Sequence, residues 1–176
     1  DSREKEWTTS TGSAFVMDTF VDQKLSGAKS GQAVEEVNQM LADFENRFSA
    51  YISSSEIARI NQNAGLSYVQ VDEETFQLLK TAKEYCQLSQ GLFDITIGPL
   101  ADLWDITGED PRVPDEQAIQ SATKLVNYED LLLREEDHSV MLRQKGQKLN
   151  LGGIAKGAAG SLAMETAKSY GVHSGY

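Results

Sequence analysis

Residues 149–160 read LNLGGIAKGAAG: an alternating apolar segment runs into two glycines, then a lysine, a third glycine and a line of small residues. The change from a period of two to helical spacing predicts a strand that feeds a helix beginning near Ile154. A junction of this kind sets backbone N–H groups and the positive end of a helix dipole beside a backbone that no side chain shields, which suits a phosphate. Lys156 adds a point charge in the first turn, and Ala158, Ala159 and Gly160 let a bulky group lie close to the helix. The same small residues equally permit tight helix packing. The spacing matches neither GxxxxGK[ST] nor GxGxxG, so the junction alone names no ligand.

The chain around this junction has 176 residues, 40% of them hydrophobic and 24% charged. That is the balance of a globular domain, with no apolar run long enough to span a bilayer as a helix. A formal charge of −11 sets the surface against nucleic acid, which needs a basic face. Any phosphate must therefore be held by local geometry. The single cysteine, Cys86, excludes an internal disulfide and sits in a helical pattern as a small core hydrophobe. The chain starts at Asp1 with polar residues that lack a signal-peptide core, which is read as a trimmed leader or an internal start; the closing VHSGY reads as the start of a further strand.

Working back along the chain, residues 13–25 are β-branched and aromatic with alternation, a strand or hairpin arm. Ala33, Val37, Met40, Leu41, Phe44 and Phe48 recur at helical spacing, with Glu35, Glu36, Asp43 and Glu45 on the opposite, solvated face. In SSSEIARINQNAG, Ser53 and Glu56 have capping-box spacing ahead of a short helix that ends at Gly65. YVQV follows as a strand. Asp72 caps a helix with Phe76, Leu79, Ala82 and Cys86 on one side, and Pro99 suits the first turn of the next. Asp115 caps a further helix, DLLLR and VMLR form a hairpin, and KLNL supplies a third strand. Interspersed strands, hairpins and helices favour an α+β or mixed α/β domain over a doubly wound parallel sheet.

Two further loops offer chemistry. SQGLFDITIGPLADLW holds Asp94 and Thr96 between apolar and aromatic residues; Asp94 either reads a polar ligand edge or closes an Asx turn. SAYISSSE presents Tyr51 as a stacking surface or as a packing residue. His138 and His173 are far apart without zinc spacing, and no GxSxG elbow is present.

Taken in order, VMDT (16–19), SAYISSSEIARIN (49–61), SQGLFDITIGPLADLW (89–104) and LNLGGIAKG (149–157) resemble the ApbE family, the FAD:protein FMN transferases once called thiamine-biosynthesis lipoproteins. The resemblance spans most of the chain. It implies an α+β fold with a mixed sheet and flanking helices, residues 1–176 forming a single domain that is the N-terminal part of a longer one. It also implies a magnesium-dependent enzyme that cleaves the FAD pyrophosphate and attaches FMN to a threonine of a target flavoprotein. Some relatives instead hydrolyse FAD to FMN and AMP, and a flavin-binding module without chemistry is a further alternative.

Carried over by motif, Met17 and Tyr51 correspond to flavin-pocket residues, and Leu92, Phe93 and Asp94 to the loop that grips FAD. Gly152 and Ala158 approach FAD through backbone atoms, and the carbonyl of Ala155 corresponds to a magnesium ligand, a sensible donor for a hard cation. The chain departs from the family at Asn150, where aspartate is common, and at Ala158 and Ser161, where tyrosine and aspartate are frequent. The family's other magnesium ligands lie in a C-terminal segment beyond Tyr176, so the chain alone is expected to be inactive. Export, and membrane attachment through an N-terminal lipid anchor, are implied by the same resemblance.

Overall fold

A computed structural model describes residues 7–106 and 108–176. The chain folds into two compact units, one containing residues up to Asn46 together with Ala155–Tyr176, the other Arg47–Ile154. In both, strands pair antiparallel and helices flank them, an α+β architecture. No helix among the described residues is long and apolar enough to cross a membrane.

In the first unit, β1 (Thr8–Val16) and β2 (Thr19–Gly27) form a hairpin in register from Thr8↔Gly27 to Val16↔Thr19, and β6 (Val172–Gly175) pairs with the far side of β2. The alternating pattern around residues 13–25 thus belongs to two strands. The turn between them is Met17-Asp18, at φ 52° and 56°. Two positive φ values give the loop the twist a right-handed hairpin requires, but a non-glycine residue held there costs about 1–3 kcal/mol. The Met17 amide recovers part of that by donating to Glu45 Oε1 at 2.9 Å.

α1 (Ser30–Phe48) covers the inner face of the hairpin with Ala33, Val34, Val37 and Leu41, all buried. Its first residue, Ser30, is fully buried, with its hydroxyl 2.9 Å from both Thr8 Oγ1 and Ser10 Oγ. α6 (Gly152–Ser169) starts two residues before the position that spacing indicates. Asn150 is the reason, because its side chain caps the helix from outside.

In the second unit, β4 (Leu131–Arg134) and β5 (Ser139–Leu142) form the expected hairpin. The third strand is β3 (Val69–Gln70), which pairs with β5. KLNL does not join this sheet. After Gly146, at φ 91°, the Gln147 side chain folds back: its Oε1 accepts from Gln144 N at 2.9 Å, and its Nε2 donates to Asp130 Oδ2 and Leu125 O. That turn carries residues 148–150 away from β5 and alongside residues 95–98, where the parallel pairing reduces to one bridge, Ile97↔Lys148.

α2 (Glu56–Gln62) is capped by Ser55, whose Oγ accepts from Ala58 N at 2.9 Å, and not by Ser53. Glu56, which capping-box spacing would turn back on its own helix, instead accepts from Asp72 N and Thr75 Oγ1 and so ties α2 to the start of α3. α3 (Glu73–Leu88) buries Phe76, Leu79, Ala82 and Cys86 completely, as its spacing indicates. Burial pushes the Cys86 thiol above its ordinary range, so it stays a protonated core residue. α4 (Gly98–Trp104) begins with Pro99 in its first turn, and α5 (Glu116–Thr123) is capped by Asp115.

Phe76, Leu79, Ile57, Ile60, Leu131, Val140, Leu142 and Leu149 are the apolar centre of this unit. Phe76→Ala is expected to cost about 3–5 kcal/mol of stability, whereas Leu88→Ala, on the exposed end of the same helix, stays within about 0.5 kcal/mol. Urea denaturation of both variants checks this; equal losses would displace Phe76 from the core.

Candidate functional site

Residues 148–153 are the crossing point of the second unit. On one side, Asn150 N donates to Ile95 O at 2.8 Å and Gly98 N to Lys148 O at 3.1 Å. The approach is close enough that a Cβ on Gly98 would lie 2.5 Å from Lys148 Cβ. On the other side, Leu149 N donates to Asn61 Oδ1 at 2.7 Å and Asn61 Nδ2 to Leu149 O at 3.1 Å. The segment is therefore held like a strand, with a side chain standing where one neighbour would be.

The glycines after it divide their roles. Asn150 Oδ1 accepts from Gly152 N at 2.9 Å, so that amide is already engaged and the cradle of bare N–H groups is smaller than the sequence suggests. A Cβ on Gly153 would sit 2.8 Å from the Phe93 ring, which makes this glycine a packing requirement of the neighbouring loop. Gly157 and Gly160 are different: apart from the adjoining residues and the backbone of their own helix, no described atom lies within 4 Å of a Cβ built on either. The packing reading therefore holds at Gly153 and does not account for Gly157 or Gly160.

The loop carrying Leu92, Phe93 and Asp94 is stiffened by Asp94 itself. Its Oδ1 accepts from Thr96 N at 2.8 Å and Thr96 Oγ1 at 2.6 Å, and its Oδ2 from Tyr128 N at 2.9 Å. Thr96, fully buried, accepts in turn from Asn127 N at 2.8 Å. Asp94 is thus an Asx-turn residue that moors the loop to residues 127–128. Leu92 is 95% exposed at the tip, and Phe93 is half-buried.

Tyr51, 65% exposed, stands at the edge of a cleft of about 290 Å³ bordered by Asn61, Gln62, Asp102, Lys148 and Asn150. Asn150 Nδ2 lies 3.4 Å from the Tyr51 hydroxyl, and Lys148 forms an ion pair with Asp102. A pocket near 300 Å³ has room for part of a dinucleotide, with polar groups to orient it. In the first unit, Met17 and Lys156 border a separate, larger groove of about 770 Å³ with Val21, Leu25, Ala159 and Ala163. Tyr51, Leu92, Phe93, Asp94 and Gly152 thus belong to the second unit, and Met17, Ala155 and Ala158 to the first.

Ala155 lies in the opening turn of α6, where a helical carbonyl ordinarily accepts from the amide four residues on. Among the described residues no group of three or more His, Cys, Asp or Glu could hold a metal ion. Magnesium demands a near-octahedral oxygen shell. One carbonyl does not supply it, so the described residues do not by themselves compose a magnesium site. Of the histidines, His138 lies half-buried with its ring 5.1 Å from that of Phe76, and His173 stacks on Trp7 at 4.6 Å and borders the groove of the first unit.

Sequence reading passed over Asn61, Asp102 and Lys148 as site residues. Asn61 ends the SAYISSSEIARIN segment, but nothing in its neighbours distinguishes it from Asn63, two residues on.

Residues 17–176 match the sequence profile of the ApbE family. The chain belongs to the ApbE family. Two curated relatives are named FAD:protein FMN transferase. That of Klebsiella pneumoniae is 35% identical over 121 residues, covering 69% of this chain and 38% of the relative. That of Treponema pallidum is 34% identical over 142 residues, covering 78% of this chain and 39% of the relative. The chain therefore spans well under half the length of these ApbE relatives. The crystal structure of the ApbE protein from Thermotoga maritima superposes with a TM-score of 0.85 at 31% identity, over 93% of this chain and 53% of that one. The flavin transferase ApbE from Vibrio cholerae shares the fold at a TM-score of 0.86 and 23% identity, over 96% and 56%.

Asp94→Ala removes the acceptor for three donors. It is expected to cost about 1–3 kcal/mol in a denaturant titration, with loss of order confined to residues 92–97 and 127–128. A change under about 0.5 kcal/mol would show that the loop does not depend on its carboxylate.

Proposed function

We propose that this chain is the flavin-holding part of a magnesium-dependent enzyme that transfers FMN from FAD to a threonine of a target flavoprotein. The observation that supports this most directly is the meeting around residues 148–153 of three segments that resemble family motifs, in a chain whose relatives are named FAD:protein FMN transferases.

In such a transfer the acceptor hydroxyl oxygen bonds to the phosphorus on the riboflavin side of the pyrophosphate. The bond from that phosphorus to the bridging oxygen breaks, AMP leaves with the bridging oxygen, and the hydroxyl proton passes to a base. There is little covalent work for the protein to do, so positioning and charge stabilisation dominate. Tyr51, Leu92 and Phe93 offer aromatic and apolar surface for the flavin, and Gly152 offers an unshielded backbone. On a chain of net charge −11, the phosphates depend on local donors, and Lys148 borders the same cleft as Tyr51. When bound, magnesium neutralises charge on the pyrophosphate. The Ala155 carbonyl is the donor this chain would offer it.

A second reading is an FAD-binding or FAD-hydrolysing module, giving FMN and AMP, that does not modify protein. An extracytoplasmic, lipid-anchored location belongs to the proposal through the resemblance alone.

The 176-residue chain and a version extended to the length of its relatives are incubated with FAD, magnesium and a threonine-containing acceptor, and the acceptor is inspected for covalent flavin. Transfer by the extended chain, abolished by a chelator, is the expected result, with FAD binding but no transfer by the short one. AMP release without covalent flavin favours the second reading, and absence of FAD binding by either chain removes both.

A further inference from the structure

Asn61 closes the last turn of α2, and both arms of its carboxamide are spent on one residue, Leu149. A donor and an acceptor presented together to the N–H and C=O of a single residue reproduce what a neighbouring strand supplies. The opposite edge of the segment is filled by Ile95 O and Gly98 N, so removing Asn61 leaves residues 148–150 held from one side only. The helix that presents Asn61 is itself fixed: Ile57 and Ile60 are buried, and Ser55 Oγ both caps the helix and donates to Ser49 O at 2.5 Å. Although Asn61 borders the cleft, its amide is not offered to a ligand.

We infer that Asn61 is a positioning residue. Through the backbone of Leu149 it sets the place of Asn150, which caps Gly152 and reaches Tyr51, and so the shape of the cleft and the opening of α6. For its effect on ligand, this rests on the FAD reading above; for its effect on the backbone it does not.

The side-chain chemistry supplies a selective test. Asn61→Leu has neither arm. Asn61→Asp keeps an acceptor for Leu149 N but sets a second oxygen against Leu149 O, and only the protonated carboxyl restores a donor. The ionised carboxylate therefore still accepts from Leu149 N but sets an oxygen against the Leu149 carbonyl.

Amide hydrogen exchange on the folded chain, corrected for the intrinsic pH dependence, reads the clamp directly. In Asn61→Leu the Leu149 amide is expected to exchange roughly tenfold faster than in the unsubstituted chain at both about pH 5.5 and about pH 8. In Asn61→Asp, which keeps an acceptor for Leu149 N and loses the donor to Leu149 O, a smaller excess is expected at both pH values. Leu88→Ala, at the exposed end of α3, is the control and leaves Leu149 exchange unchanged. Flavin fluorescence titration should show the FAD dissociation constant rising in step with Leu149 exchange. Unaltered Leu149 exchange in both Asn61 variants overturns the inference. So does an FAD affinity that stays constant while exchange rises. If the unsubstituted chain fails to bind FAD, the function reading falls and the exchange measurements alone decide the clamp.

Discussion

The local order of the second unit depends on how residues 148–150 are held: backbone of residues 95–98 on one edge, the Asn61 carboxamide on the other. A polar backbone segment in the interior must have its N–H and C=O groups paired, and a full strand would be the usual partner. Here one side chain replaces it. Leu149 is therefore fully buried without a second strand beside it, and the chain can leave the rung at once for a helix. Extending a real strand along that edge would cover the space where Tyr51 and Asn150 stand.

A short series of dependencies runs outward from that rung. Asn150 emerges with its side chain placed to cap Gly152, which is why α6 begins two residues earlier than the hydrophobic period indicates. Gly153 then passes against Phe93, whose loop is fixed by Asp94 and the buried Thr96. Each element is held by the backbone or carboxylate of another, so the positions of Phe93 and Asn150 are not independent. A ligand site gains from such coupling, since orientation fixed before binding need not be imposed at the cost of binding energy.

Much of this architecture could be read from sequence where a residue's role is set by its neighbours in the chain. The apolar face of α3, the Asp115 cap and the β4–β5 hairpin all depend on local spacing, and all appear as expected. Reading failed where a distant group decided the outcome. KLNL alternates like a strand, but Gln147 is drawn to Asp130 and Leu125, and that redirects the chain. Ser53 and Glu56 have capping-box spacing, yet Thr75 and the Asp72 amide compete for the Glu56 carboxylate and win. The Met17-Asp18 turn lacks the glycine or asparagine that announces a two-residue hairpin loop, because a contact from Glu45 offsets part of the backbone strain.

The same distinction bears on the candidate site. In sequence Asp94 is open to two readings, ligand contact or Asx turn, and its three accepted hydrogen bonds realise the second. This does not make it remote from ligand chemistry. A carboxylate with both oxygens engaged by its own loop can present neighbouring Leu92 and Phe93 at a fixed place, and a mobile one cannot. The glycines obey a parallel logic: Gly153 is small because Phe93 needs the room, while Gly157 and Gly160 are small with nothing described against them. Packing accounts for the first and leaves the other two without a partner. A helix face kept bare at a cost in helix propensity, about 1 kcal/mol for each glycine relative to alanine, is the part of LNLGGIAKGAAG that internal packing does not explain.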